Sequence, residues 1–287
     1  MRIKFPLLTS VITSFFMVSA QAQDAFASAK ISVEHVSESV HMLTGMGGNI
    51  GVSAGSDGLL VIDDQFAPLA EKIVAALGTL NKSNVKYLVN THYHGDHTGS
   101  NAYFKDEQNS TIFAHDNVRK RLADDTKLSA SALPVVTYAQ GLNFHFNGET
   151  IQVMHLPAGH TDSDSVIWFK EANVLHAGDL FFEGRFPYID LDGGGTVAGY
   201  IKNVQSLLTM LNNDSRIIPG HGKLASKADY QSALNMMIET ANFVKTKKNQ
   251  GVSLEDLIAV GLDAKWKAWS WNFINEEKWI TTLYQGQ

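Results

Sequence analysis

Cysteine is missing from all 287 residues. Disulfides, a thiol nucleophile and thiolate metal ligands are therefore excluded. Stability has to come from packing and from any ions that nitrogen and oxygen donors can hold. Basic tracts are scarce: the one short cluster, at 245–248, reads as the solvated end of a helix, and the formal net charge is −6. Nucleic acid, which demands a positive surface, is not an expected partner. Long apolar runs are lacking after the N-terminus. None approaches the roughly 20 residues of a membrane span, and the mean hydropathy is −0.09. The chain has no phosphate-cradling Gly-x-x-x-x-Gly-Lys loop, no evident Ser/His/Asp nucleophile arrangement, and no linker, repeat array or low-complexity tract. With 44% hydrophobic residues it can bury a large core, and we expect one domain over 23–287.

The N-terminus stands apart. Arg2 and Lys4 precede an apolar stretch at 5–18, and Ala20-Gln21-Ala22 has the small-x-small pattern of a cleavage site. Residues 1–22 thus read as a signal peptide, cut after Ala22. The stretch is too short, and too closely followed by the cleavage pattern, for a lasting membrane anchor. The expected destination is periplasmic or secreted.

What the chain concentrates is histidine and aspartate. Thr91-His92-Tyr93-His94-Gly95-Asp96-His97 follows an apolar run at 85–90. At the end of a strand, His-x-His projects both imidazoles to one side, and Gly95 lets the backbone turn so that Asp96 and His97 reach a neighbouring volume. Neutral imidazole is the commonest ligand for borderline metals, and three imidazoles and a carboxylate on one short loop can serve two adjacent cations. Partners recur downstream. His160 lies in Gly159-His160-Thr161 after a strand-like stretch at 150–155. Asp179 lies in Gly178-Asp179 past an apolar run at 173–176, and His221 in Pro219-Gly220-His221-Gly222 at the end of another. Each is expected to end a strand and enter a loop, gathered at one edge of a β core.

Strand-like runs at 39–43, 49–53 and 59–63 open the organisation. A helix at 67–80, the strand at 85–90, a short strand at 111–114 and a helix at 115–122 follow. A second β-rich set from 142 to 176, a helix at 197–211, a strand at 216–219 and a long helix near 227–248 repeat the plan. Such a pattern predicts an α/β sandwich with helices outside two packed sheets. His115 is expected at a helix start that Asp116 helps to cap. His155 and His176 read either as donors behind the ligands or as ordinary half-buried residues, and His35, His41 and His145 as structural. Gly193-Gly194-Gly195 reads as a mobile or tightly turned loop near the site. Trp266, Trp269, Trp271 and Trp279 read as packing of the C-terminal segment on the core.

The motifs His92-x-His94-x-Asp96-His97, Gly159-His160-Thr161, Gly178-Asp179 and Pro219-Gly220-His221-Gly222 resemble, in order and spacing, those of the metallo-β-lactamase superfamily. They span almost all of the chain after the first few dozen residues. The resemblance implies an αββα sandwich, two central β-sheets flanked by helices. It implies one metal site of His92, His94 and His160, a second of Asp96, His97 and His221, and a bridging Asp179. Zinc, two ions per chain, is the expected cofactor for His/Asp ligands with an open position, although the residue types also suit iron or manganese.

Two cations sharing a water lower its pKa to roughly 7. The implied enzyme is a hydrolase whose metal-bound hydroxide attacks an ester, thioester, lactone or lactam of a small-molecule substrate. Asp96 would be the catalytic residue that orients the nucleophile and passes on its proton. Two departures bear on the substrate. Asp179 stands where the family's lactamases carry a cysteine, as in glyoxalase II. Phe182 stands where they carry a lysine for the antibiotic carboxylate, with Arg185 close by. A phenyl ring cannot replace that cation, so β-lactam turnover is expected to be weak. Phe181, Phe182, Phe186 and Tyr188 suggest an apolar substrate wall, and Phe182, Arg185 and Tyr188 are the candidate substrate-binding residues. A glyoxalase II-like thioesterase and an iron-dependent sulfur dioxygenase-type enzyme are the alternatives. The sequence carries no signature of a particular oligomeric state.

Overall fold

Two mixed sheets are each built from consecutive strands. The computed structural model describes residues 25–286; the signal peptide expected over 1–22 lies outside the described residues. The first sheet takes β1 (Ser32–Ser37), β2 (Val40–Thr44), β3 (Ile50–Gly55), β4 (Gly58–Ile62), β5 (Val85–Val89), β6 (Thr111–His115) and β7 (Val136–Tyr138), side by side in chain order. Pairing is antiparallel as far as β4 and parallel from there on. The second sheet takes β8 (Gly141–Phe146), β9 (Glu149–His155), β10 (Ser165–Phe169), β11 (Val174–Phe182), β12 (Arg216–His221) and β13 (Ala225–Ser226), again in chain order. Only β11 and β12 pair in parallel there.

Burial on both faces explains the apolar runs. In β4, Leu60 and Ile62 face the layer between the sheets, while Leu59 and Val61 face outward under helices. A strand covered on both sides has no use for polar alternation. The layer between the sheets joins Val40, Met42 and Val89 to Phe146, Val153 and Ile167. Outside the first sheet lie the helices Ala70–Leu77 and Asn101–Gln108, docked by Ile73, Leu77 and Phe104. Outside the second lie Val197–Met210, Lys227–Asn249 and Glu276–Gln285, docked by residues such as Val204, Leu234 and Trp279. The longest helix begins at a capping box, with Ser226 and Asp229 satisfying each other's backbone amides. The outcome is the four-layered αββα sandwich.

Several expectations shift. The helix at 67–80 is a 3-10 turn, Ala67–Leu69, followed by the α-helix Ala70–Leu77. His115 itself, through a ring nitrogen that accepts from the Asn117 amide, caps the helix Asp116–Asp124 in place of Asp116. β11 runs on to Phe182, so Asp179 sits inside a strand and not in a loop beyond it. The register of β11 against β12 slips between Gly178 and Phe182, and Gly178 has φ +51°, a bulge geometry that re-aims the next side chain. Residues 254–285 hold two helices and a 3-10 turn. There Trp279 is fully buried, its indole N–H donating to Thr240. Among the described residues, no helix is long and apolar enough to cross a membrane.

Candidate metal centre

The carboxyl ends of β5, β11 and β12 meet at one edge of the sandwich, the side on which α/β sheets present their ligands. After β4 the chain turns through Asp63, whose φ is +62°. Its buried carboxylate accepts from the Thr91 amide (2.7 Å), the Thr91 hydroxyl (2.8 Å) and His97 Nδ1 (2.7 Å). That clamp fixes the start of the loop after β5. The Thr91 hydroxyl, having donated to Asp63, accepts from His92 Nδ1 at 3.0 Å. His94 uses Nε2 to donate to Asp190 (3.0 Å), which also accepts from the Tyr93 hydroxyl. His160 Nδ1 donates to the Tyr188 carbonyl at 2.8 Å. Four imidazoles thus have one nitrogen held from behind and the other facing inward. This is the orientation that outer partners impose on metal-ligating histidines.

The inward atoms form two adjoining groups: His92, His94, His160 and Asp179, and then Asp96, His97 and His221. His94 Nδ1 lies 3.1 Å from His92 Nε2 and 2.9 Å from His160 Nε2. A tetrahedral site with bonds of about 2.0–2.1 Å has edges of about 3.3 Å. Asp179 offers one oxygen to each group. Its Oδ2 is 3.4 Å from His160 and 3.8 Å from His92, and its Oδ1 is 3.1 Å from His97 and 3.5 Å from His221. Asp96 Oδ2 lies 3.3 Å from His221 Nε2 and 3.5 Å from His97 Nε2. His97 Nε2 and Asp179 Oδ1 are buried without a hydrogen-bond partner. Orphaned polar atoms of that kind are costly unless something satisfies them. The donor set, its spacing and these orphans fit two cations held by nitrogen and oxygen.

Close backbone approach makes one glycine obligatory: a Cβ at Gly220 would fall 2.0 Å from Asp179 Oδ1. The turn carrying His160 is pinned by Asp164, which accepts from the His160 amide (2.6 Å) and the Thr161 amide (3.0 Å). His155 does not touch the inward atoms. It stacks on His115 at 3.6 Å and donates to the Asp164 carbonyl. Buried His176 contacts the Asn49 carbonyl, and the Asn49 side chain donates to the carbonyls of Pro219 and Gly222 around His221. The Gly193–Gly195 loop is a tight turn, tied by Gly195 N to the Asp190 carbonyl and by the Gly193 carbonyl to Asp162 N and Arg121.

Burial pushes the Asp179 carboxyl up, but the His97, His221, His92 and His160 imidazoles outweigh it and hold it well below the usual range. Burial also opposes a charged His97, yet the Asp179, Asp96 and Asp63 carboxylates raise it well above its ordinary value. His221 is raised to about 9 by Asp179 and Asp96 against its burial. Burial wins at His160, lowered to about 4, and at His92, which falls well below 6.5. The hydrogen bond from His94, then that from Tyr93, holds the Asp190 carboxyl low against burial.

A cavity of about 730 Å³ opens over this centre. His94, Asp96, Asp179 and His221 line it, as do Phe182, Arg185 and Tyr188. Phe181 and Phe186 do not; both are buried in the core, packed on Tyr230 and Trp279. Sequence reasoning missed Asp63, Asp190 and Asp164 behind the histidines; Trp271 packs against the core as expected, and with Phe273 it also lines the cavity. The one trace of Asp63 in the sequence, two acids directly after the unbroken apolar run of β4, is also how a strand ordinarily ends.

A family model described as the metallo-beta-lactamase superfamily matches residues 44–221. The chain is 24% identical over 224 residues to a beta-lactamase-like protein 2 homolog of Caenorhabditis elegans, covering 72% of this chain and 68% of that one. It is 28% identical over 163 residues to a hydroxyacylglutathione hydrolase of Haemophilus influenzae, covering 53% and 76%. A metallo-beta-lactamase type 2 of Bacillus sp. (strain 170) is 22% identical over 183 residues, covering 63% and 69%. Among solved structures, a metallo-beta-lactamase from Pontibacter korlensis superposes with a TM-score of 0.63 at 19% identity, over 72% of this chain and 99% of that one, a likeness of fold.

Proposed function

The chain belongs to the metallo-β-lactamase superfamily, and from that premise we propose that it is a dinuclear zinc hydrolase of ester, thioester or lactone bonds, with β-lactams as poor substrates. The observation that carries the reading is the meeting of five imidazoles and two carboxylates in two adjoining groups beneath one cavity. His92, His94 and His160 would hold one ion, Asp96, His97 and His221 the other, and Asp179 would contact both. Bound there, the pair of cations supplies Lewis acidity and water ionised near neutral pH, about 7.

The chain's own residues do the rest. Asp96 is 26% exposed at the cavity floor. Burial raises its carboxyl, but His97 and His221 outweigh that and keep it below its ordinary value, hence ionised. Its free oxygen would take the proton of an attacking water and return it to the leaving group. Phe182 stacks on the His221 ring at 5.0 Å and offers no charge to a lactam carboxylate. Arg185 instead lies over the Trp271 ring, at 5.3 Å. The absence of a thiolate and the hydroxyacylglutathione hydrolase relatives support thioesters among the candidates. We further propose that 23–287 acts as one catalytic domain, periplasmic or secreted.

Metal analysis of protein purified without added metal separates zinc from iron, the ion of the dioxygenase-type alternative. A panel of chromogenic esters, thioesters, lactones and a cephalosporin then tests the reaction. Turnover of the first three classes above the last is expected, and protein holding two zinc ions that hydrolyses none of them would sink the reading. Asp96→Asn is expected to slow turnover by roughly 10²–10⁴-fold; a loss of only a few-fold removes Asp96 from its proton-handling role.

A further inference from the structure

The cavity is completed by a segment outside the family-matched residues 44–221. Trp271 and Phe273 line it, and the segment is fastened to the rest of the chain at Phe186 and held together internally by Lys278. Phe186 N donates to the Trp269 carbonyl (2.9 Å), and the Trp271 indole N–H donates to the Phe186 carbonyl (3.0 Å). Lys278 Nζ donates to the Phe273 carbonyl at 2.8 Å. The rings then form a connected set. Trp271 lies 6.0 Å from Phe182 and 5.6 Å from Phe273, which meets Tyr188 edge-on at 5.3 Å.

Trp271 and Tyr188 pack against the core, but two features turn the set toward the cavity as well. Trp279, a few residues on, is wholly buried, whereas Phe273 is 49% exposed and Met46, across the chain at the β2–β3 turn, is 46% exposed; both line the same cavity. Large apolar side chains gathered at the mouth of a cavity mark a binding surface. Rings set at 62° and 70° to one another present faces and edges together, the geometry in which a further planar ring gains most.

We infer that Trp271 and Phe273 determine specificity: they select substrates whose acyl group carries an aryl ring or a comparable planar apolar group, and disfavour short aliphatic acyl groups. The inference rests on the hydrolytic reading of the same site. Two methyl thioesters with the same leaving group, one acetyl and one phenylacetyl, test it through release of methanethiol. The wild type is expected to prefer the phenylacetyl compound. In the Trp271→Ala/Phe273→Ala variant, the phenylacetyl-to-acetyl ratio of kcat/KM should fall by about tenfold or more. Trp271→Phe should recover most of it, which also guards against a folding defect. An unchanged ratio overturns the inference.

A second arm does not need turnover. Protein stripped with a chelator is titrated with phenylacetate and with acetate, followed by tryptophan fluorescence and calorimetry. Phenylacetate should bind the wild type more tightly, and the double variant should lose that preference. Should neither thioester nor any ester or lactone of the panel be hydrolysed while this preference appears and is lost in the variant, the hydrolytic reading fails and the specificity assignment stands. Phenylacetate binding the wild type no better than acetate overturns the assignment whatever the turnover.

Discussion

The two groups of candidate ligands differ in charge although they share a wall. In the first, burial prevails: His160 is lowered to about 4 and His92 falls well below its ordinary value, so both rings are uncharged at neutral pH. In the second, the full burial of His97 and the partial burial of His221 are overcome by carboxylates, and both are raised, His221 to about 9. His92 and His160 are ready for a cation as they stand; His97 and His221 have to shed protons first. Among the described residues of the two groups, Asp179 alone has one oxygen toward each. The lesson is that desolvation alone does not set the state of a buried histidine. The count of carboxylates facing it does.

Removing the shared member should break the comparison most severely. Asp179→Asn keeps the shape but turns a donor of two electron pairs into an amide. Losing several kcal/mol of transition-state stabilisation corresponds to a turnover drop on the order of 10³-fold or more, with zinc content falling from two equivalents toward one. A variant that keeps two ions and near-normal turnover would show that the groups are independent. Next come the two supporting carboxylates, which separate the groups. Asp63 holds His97 directly and His92 through Thr91, whereas Asp190 holds His94. Asp63→Asn should weaken metal binding in both groups and Asp190→Asn only in the first, each by about 10–100-fold. Because Asp63 is fully buried and accepts three hydrogen bonds, its variant should also lose about 1–3 kcal/mol of stability, read as a lower Tm of the chelated protein. Equal effects of the two variants on both ions would erase the distinction.

How much of this was legible in the sequence depends on where the chemistry was stored. The run from His92 to His97 could be read because strand end, histidine spacing and a turning glycine are all local. His160, Asp179 and His221 are single residues in short motifs, and only their order along the chain linked them. The sandwich was legible because strands covered on both faces announce themselves as apolar runs, as β4 and β12 do. Asp63 was not, since an acid after an apolar run is the ordinary end of a strand. Its function lies in a positive φ and in burial, which are properties of the fold. Trp271 and Trp279 are the same residue eight positions apart, one at a cavity and one in the core, and no local pattern tells them apart. β11 ran past its expected end because Gly178-Asp179 looks like a turn, while the residues after it, Leu180 to Phe182, rejoin the core as strand.

The smallest effects sharpen the comparison through protons. In the metal-free protein, the folded value of His221, about 9, lies above the ordinary 6.5. Its contribution to stability is therefore complete below about 6.5 and is lost as pH rises through 9. His97 is shifted in the same direction. The Tm of chelated protein should accordingly decline by about 2–8 °C between pH 6.5 and 9. Zinc reverses the preference, because ligation needs the neutral rings. Calorimetric zinc titrations at pH 7 in buffers of different ionisation enthalpy should find little proton release from His92 and His160 as the first ion binds. Filling the second group should release about one to two protons, from His97 and His221. Lowering the pH from 8 to 6 should then weaken the second ion far more than the first. Equal proton release for both ions, or a metal-free Tm that rises across that range, would mean that the carboxylates do not outweigh burial at His97 and His221.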